Sequence, residues 1–271
     1  MIIGFNAAGY FIVAWHKNKG AFMLDFQVES WMAVAPGLES HGDWCNWLQN
    51  PQVVQGDLGS ASLKQISPML RRRFGVLGKC AVGAALPLVN EGENIPSIFA
   101  SRHGDTPLTL SLLEGIGRNE PMSPTGFSLA VHNAVSGLFS IARKDVSGVT
   151  AVAAVEGLIL QTLLEASGQL LTSGRVLCVV YDVPLPALYH GYCEGVARFP
   201  YAIAFILSHK KGKRYRLMQD KISRKKLAIS ESGFSHLDPE AMGFLEILTG
   251  LSTEMRFELN GRSWRLRRVC S

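Results

Sequence analysis

Five cysteines, at positions 45, 80, 178, 193 and 270, are all that this 271-residue chain carries, and no Cys-x-x-Cys pair occurs among them. Their odd number and wide spacing give neither a disulfide framework nor a zinc ribbon, and suit the reduced thiols of a cytosolic protein. Gly-x-Ser-x-Gly, the P-loop, Gly-x-Gly-x-x-Gly and His-Glu-x-x-His are also missing. The usual marks of a serine hydrolase, a nucleotide loop, a dinucleotide site and a zinc protease are therefore absent. The opening run MIIGFNAAGYFIVAW is uncharged for 15 residues, short of the roughly 20 that an ordinary membrane span needs. Lys17 and Lys19 follow this run, whereas a secretory signal places its cations in front. No low-complexity linker divides the chain, so it reads as one domain built on one large core.

With 47% apolar residues the chain has ample material for that core, and its net charge of +5 is concentrated. Between His209 and Lys226 stand nine Lys or Arg against one acid, Asp220, so the remainder is net negative. Lys210–Lys226 reads either as a solvated hairpin whose charges guard a sheet edge, or as a patch for an acidic partner. A nucleic-acid-binding module would use the same segment, but only Tyr215 interleaves an aromatic with the cations.

FQVESWMAV (Phe26 to Val34) predicts a strand ended by Pro36-Gly37, and Trp44 and Trp47 fall on one helical face. Residues 51–67 are polar and loop-like. After Pro68, the spacing of Leu70, Phe74, Leu77 and Ala81 predicts one helix with Arg71, Arg72 and Arg73 in its first turn, where the dipole disfavours cations. Residues 95–105 predict a short buried strand ending at a Gly, with Pro107 opening the next helix. Ser123 to Lys144 reads as a loop feeding a helix, and Val149 to Leu171 as an apolar strand turning directly into another. RVLCVVYDVP is apolar on both faces, as in a strand covered above and below. FPYAIAFILSH predicts a strand, the basic stretch a turn and second strand, and DPEAMGFLEILTG a helix capped by Asp238, opened by Pro239 and closed by Gly250. The final hairpin turns at Asn260-Gly261 and pairs Phe257 with Trp264.

Four short motifs stand out: Ser-Arg-His-Gly (Ser101 to Gly104), Ser-Pro-Thr (Ser123 to Thr125), His132-Asn133, and Tyr-Asp-x-Pro-Leu-Pro (Tyr181 to Pro186). Together, over residues 23–271, they resemble the short β-ketoacyl synthase-like chain length factors of aryl polyene clusters. The resemblance implies a layered αβα, thiolase-like fold with a mixed sheet and a shortened second half. Met23 resembles the usual start of that family, so residues 1–22 are expected to be an extension from a mis-assigned start codon.

A condensing enzyme holds a cysteine at the first turn of a buried helix, whose N-terminus stabilises the thiolate, and two later histidines that polarise the malonyl thioester. Counting back from Gly157 puts the nucleophile's place on Ala154; matching the preceding Thr-Ala pair puts it on Val152. No Cys, Ser or Thr lies between Val152 and Glu156, and after His190 only His209 and His236 remain, in unrelated contexts. The resemblance therefore implies a subunit without catalysis, with no cofactor and no metal; His190 and Cys193 are only two potential ligands. As partners it implies an active β-ketoacyl synthase and, indirectly, acyl carrier protein, with no nucleic acid. It further implies that Phe127, Leu129 and His132 reach the partner's acyl tunnel, and that the strand of Val176, Cys178 and Val180 is a sheet edge pairing with the partner. From the residues alone, cover of that strand by its own chain is an equal alternative, and Phe127 is equally a core phenylalanine. The competing reading is an active condensing enzyme with relocated chemistry.

Overall fold

The computed structural model describes residues 22–54, 56, 58, 63–191, 197–219 and 237–269. Residues 1–21, Lys221 to Lys226, His236, Cys193 and Cys270, on which several of the readings above fall, lie outside the described residues. The chain runs β1 (Met23–Val34), α1 (His41–Gln49), α2 (Pro68–Arg71), α3 (Val76–Ala85), β2 (Ser97–Ser101), α4 (Thr106–Gly117), α5 (Pro124–Ala130), α6 (Ala134–Arg143) and β3 (Val149–Ala153). It continues α7 (Leu158–Leu170), β4 (Arg175–Asp182), β5 (Tyr201–Ser208), β6 (Lys213–Gln219), α8 (Pro239–Thr249), β7 (Glu254–Leu259) and β8 (Arg262–Arg268).

The strands form one mixed sheet in the order β3-β2-β4-β5-β1-β6-β8-β7, parallel from β3 to β4 and antiparallel from there on. Two cores sandwich it. Val176, Cys178 and Val180 of β4, with Ile203 and Phe205 of β5, face α1, α7 and α8. Leu177, Val179 and Tyr181, with Ala202 and Ala204, face α3 and α6. Alternation along β4 thus feeds both cores, as its apolar run required. In β1 a bulge between Val28 and Ser30 shifts the phase. Leu24, Phe26 and Val28 face the first core, and so do Ala33 and Ala35, which frees Val34 to face the second.

Most local expectations hold. Ser40 and Asp43 close a capping box on α1, and the buried Trp44 and Trp47 meet edge to face. Asp238 caps α8 with Pro239 at its start and left-handed Gly250 at its end. The β7–β8 turn has Asn260 and Gly261 at positive φ, and Phe257 opposes Trp264.

Three expectations are corrected. The strand of Val176, Cys178 and Val180 is not an edge: β4 is hydrogen-bonded to β2 on one side and β5 on the other, so its own chain covers it. The open edge on this half of the sheet is β3, which among the described residues pairs with β2 alone. The helix after Pro68 is two pieces, because the buried Phe74 lies against Gly78 and the chain is extended at Gly75 before α3 begins. Arg72 and Arg73 consequently leave the helix that would have disfavoured them. Thr125 to Leu129 is not a loop but lies within the short helix α5, capped by Ser123.

Candidate functional site

Motifs far apart in sequence meet at the carboxyl ends of β2 and β4. Asp182 accepts hydrogen bonds from Ser101 Oγ at 2.8 Å and from Arg102 N at 3.0 Å, and Gly104 N donates to the same Ser101 Oγ at 2.8 Å. His132 Nε2 lies 3.1 Å from the Ser101 carbonyl oxygen, and its ring packs on left-handed Gly104, where a Cβ would stand 3.4 Å from it. Arg102 pairs with Asp238, the cap of α8, at 3.6 Å. Burial raises the Asp182 carboxyl to about 7, partly offset by the hydrogen bond from Ser101 and the nearby Arg102. His103 is shifted down, first by burial and then by the Arg102 charge.

The turn from β3 into α7 is the place where a nucleophile was sought. Val152 and Ala154 pack against the first core, while Val155 is 63% exposed and Glu156 is exposed. Gly157 opens α7 at φ 67°, and a Cβ there would stand 3.2 Å from Leu259 at the tip of the β7–β8 hairpin. The tip of α7 already has an acceptor: the Glu240 carboxyl of α8 accepts from Leu160 N at 3.2 Å. Burial, then Asp238, raises Glu240 to about 7. Cys80 and Cys178 are buried thiols whose pKa is raised by burial, the reverse of what a nucleophile requires. His190 and His209 bond the carbonyl oxygens of Leu185 and Leu170. Among the described residues no cluster of three His, Cys, Asp or Glu is placed to hold a metal, and no helix is long and apolar enough to cross a membrane.

Residues 44–266 match the model of the β-ketoacyl synthase N-terminal domain. The chain belongs to that family. Its fold is similar to the solved ketosynthase (ApeO) in complex with its chain length factor (ApeC) from Xenorhabdus doucetiae, with a TM-score of 0.73 and 23% identity over 90% of this chain and 100% of that one. It is also similar to the ishigamide ketosynthase/chain length factor, with a TM-score of 0.55 and 14% identity over 68% of this chain and 62% of that one. A search of curated protein sequences finds no match.

Within this β-ketoacyl synthase family member, Ser101 to Gly104, His132 and Asp182 are brought together as scaffold, Ser123 of the remaining motif caps α5 instead, and Val152 to Glu156 contain no Cys, Ser or Thr. Of the three residues expected to reach a partner, Phe127 is 56% exposed, Leu129 packs against the second core and His132 is held by Ser101. Sequence reasoning missed two features. The first is a cavity of about 540 Å³ walled by Phe74, Leu77, Leu108, Leu129 and Leu138, with Arg72 and Arg73 also lining it. The second is the Glu240 cap, for which a glutamate one position after Pro239 was the available signal.

Proposed function

We propose that this chain is a chain length factor: a ketosynthase-like subunit that performs no condensation, pairs with an active β-ketoacyl-[acyl carrier protein] synthase, and shapes the tunnel for a growing polyketide of the aryl polyene type. The observation that carries this reading is the β3–α7 turn, where neither Ala154 nor Val152, the two alternative places expected for a nucleophile, carries a nucleophilic side chain and Glu240 bonds the helix tip that would stabilise a thiolate. The likeness to a ketosynthase solved with its chain length factor supports it, because that match spans both chains almost completely. Acyl carrier protein is engaged through the partner, whose cysteine holds the chain.

The partner's place on this reading is the open edge of β3. An uncovered edge strand presents a row of unpaired backbone groups. Here it packs with α6 and α7, and Val149 on the strand, Val155 just after it and Ile141 on α6 are exposed apolar side chains. Phe127 is exposed on α5, which packs on α6, so on this reading its bulk is available to limit the length of chain in the partner's tunnel.

Co-expression with a candidate ketosynthase, followed by size exclusion and native mass measurement, tests the pairing. The expected product is a heterodimer that releases carbon dioxide from malonyl carrier protein, whereas this chain alone releases none. A stable lone monomer with no affinity for a ketosynthase, or decarboxylation by the chain alone, overturns the reading.

A further inference from the structure

The sheet is covered unequally. Among the described residues, β2, β4 and β5 are sandwiched between the two cores, but β6, β8 and β7 give their buried apolar side chains only to the first, where α8 packs. Leu217, Leu266 and Met255 lie in register on that covered face. The alternate residues form the opposite face, on which Arg214, Arg256 and Arg267 are exposed.

Register sets the chemistry of this bare face. Across four strands one row reads Asp25, Arg216, Arg267, Glu254, and the next reads Met23, Met218, Arg265, Arg256. Each row thus places two arginines directly opposite one another, an arrangement that repels within a sheet. Among the described residues, the acids on this face are fewer than the arginines. Asp25 takes Arg216 at 2.6 Å and 2.7 Å, and Glu254 is shared between Arg256 at 3.1 Å and Arg265 at 3.9 Å. With Arg214 and Glu258 included, five arginines share this face with three carboxylates among the described residues. A guanidinium has five donors, so a single carboxylate leaves each arginine able to take another.

We propose that this bare face docks an acidic helix of a partner protein, whose carboxylates enter between the opposed arginines. Four strands at about 4.8 Å spacing make a platform some 14 Å wide, which suits a helix about 10 Å across. The helix would supply the layer that α3 and α6 supply elsewhere. A second copy of this face is a poor occupant, since it would set arginine against arginine. Asp25, Glu254 and Glu258 among the cations disfavour a phosphate backbone.

The test is titration of the purified full chain with a helical peptide carrying glutamates at i, i+4 spacing, its glutamine counterpart, and a DNA duplex. The acidic peptide is expected to bind in a salt-dependent manner, with the other two much weaker. Arg214→Glu with Arg267→Glu should weaken binding by about tenfold or more, and Arg267→Gln alone by less. Lys210→Glu with Lys211→Glu makes the same change in net charge elsewhere and should leave binding intact; thermal melts confirm that each variant is folded. Absence of peptide binding, equal loss in the two charge reversals, equal binding of the glutamine peptide, or tighter binding of the duplex each overturns the proposal.

Discussion

The carboxyl ends of β2 and β4 and the carboxyl end of β3 lie along one rim of the same sheet, and they have been built in opposite ways. At the first, Ser101, Arg102, Gly104, His132, Asp182 and Asp238 are joined by hydrogen bonds and an ion pair. At the second, the chain passes through Val152, Ala154 and Val155 with no functional side chain until Glu156, and a carboxylate from α8 closes the helix tip. The first region resists change because each member's partner is buried. On the proposed reading, the second tolerates a turn without a nucleophile because the hydrogen bonds that tie the strand ends together are concentrated in the first.

The largest blow to that contrast is Asp182→Ala. It strips Ser101 and the Arg102 backbone of their shared acceptor and should cost about 3 kcal/mol, read as a lower urea midpoint at unchanged slope. A loss below about 1 kcal/mol would mean that the junction is not the anchor described.

Next in size is pH dependence. Asp182 and Glu240 titrate near 7 in the fold, against ordinary values of 3.8 and 4.5. The folded chain therefore holds protons that the unfolded chain has already released. Their contribution is complete below the ordinary values and is lost as pH rises through about 7. His103, shifted down, works in the other direction around its ordinary 6.5. The difference between wild type and Asp182→Asn isolates the carboxylate: between about pH 5 and about pH 8 the variant should lose less stability than the wild type.

At the empty turn the expected effects are smaller. Val152→Cys and Ala154→Cys should each change stability by no more than about 1 kcal/mol. Neither new thiol should take an acyl group from carrier protein, and labelling by a cysteine-directed inhibitor should stay slow because Glu240 holds the helix tip. Rapid acylation of either variant would show the turn to be competent after all. The smallest stability effect is expected from Phe127→Ala, within about 0.5 kcal/mol because the ring is 56% exposed. In the reconstituted pair the same change should lengthen the product, which mass spectrometry reads directly.

The sequence made local structure readable where the signals were local. The Asn260-Gly261 hairpin, the α8 caps and the Trp44–Trp47 pair are each set by residues a few positions apart. The apolar run of β4 announced cover on both faces, but a strand's neighbours within the sheet are chosen by distant segments. The residues of β4 therefore leave its neighbours open, and the edge that the resemblance implies for it belongs to β3. The site was legible only as separate motifs. Ser101 and Asp182 are 81 residues apart, and Leu160 and Glu240 are 80 apart, so periodicity reported neither bond. The break before α3 was hidden because Phe74 fits a helical spacing whether it lies within the helix or folds back onto Gly78.

The bulge in β1 gives the strand a splice point. Glu29 is the inserted residue, tied to Arg175 at 2.9 Å, and the backbone beside it is hugged so closely by Gly212 that a Cβ there would collide with the Val28 carbonyl. Deleting that one residue would rephase everything upstream, turning Leu24, Phe26 and Val28 toward solvent while Ala33 and Ala35 stayed inside. Homologues should therefore vary in length almost anywhere before they vary there.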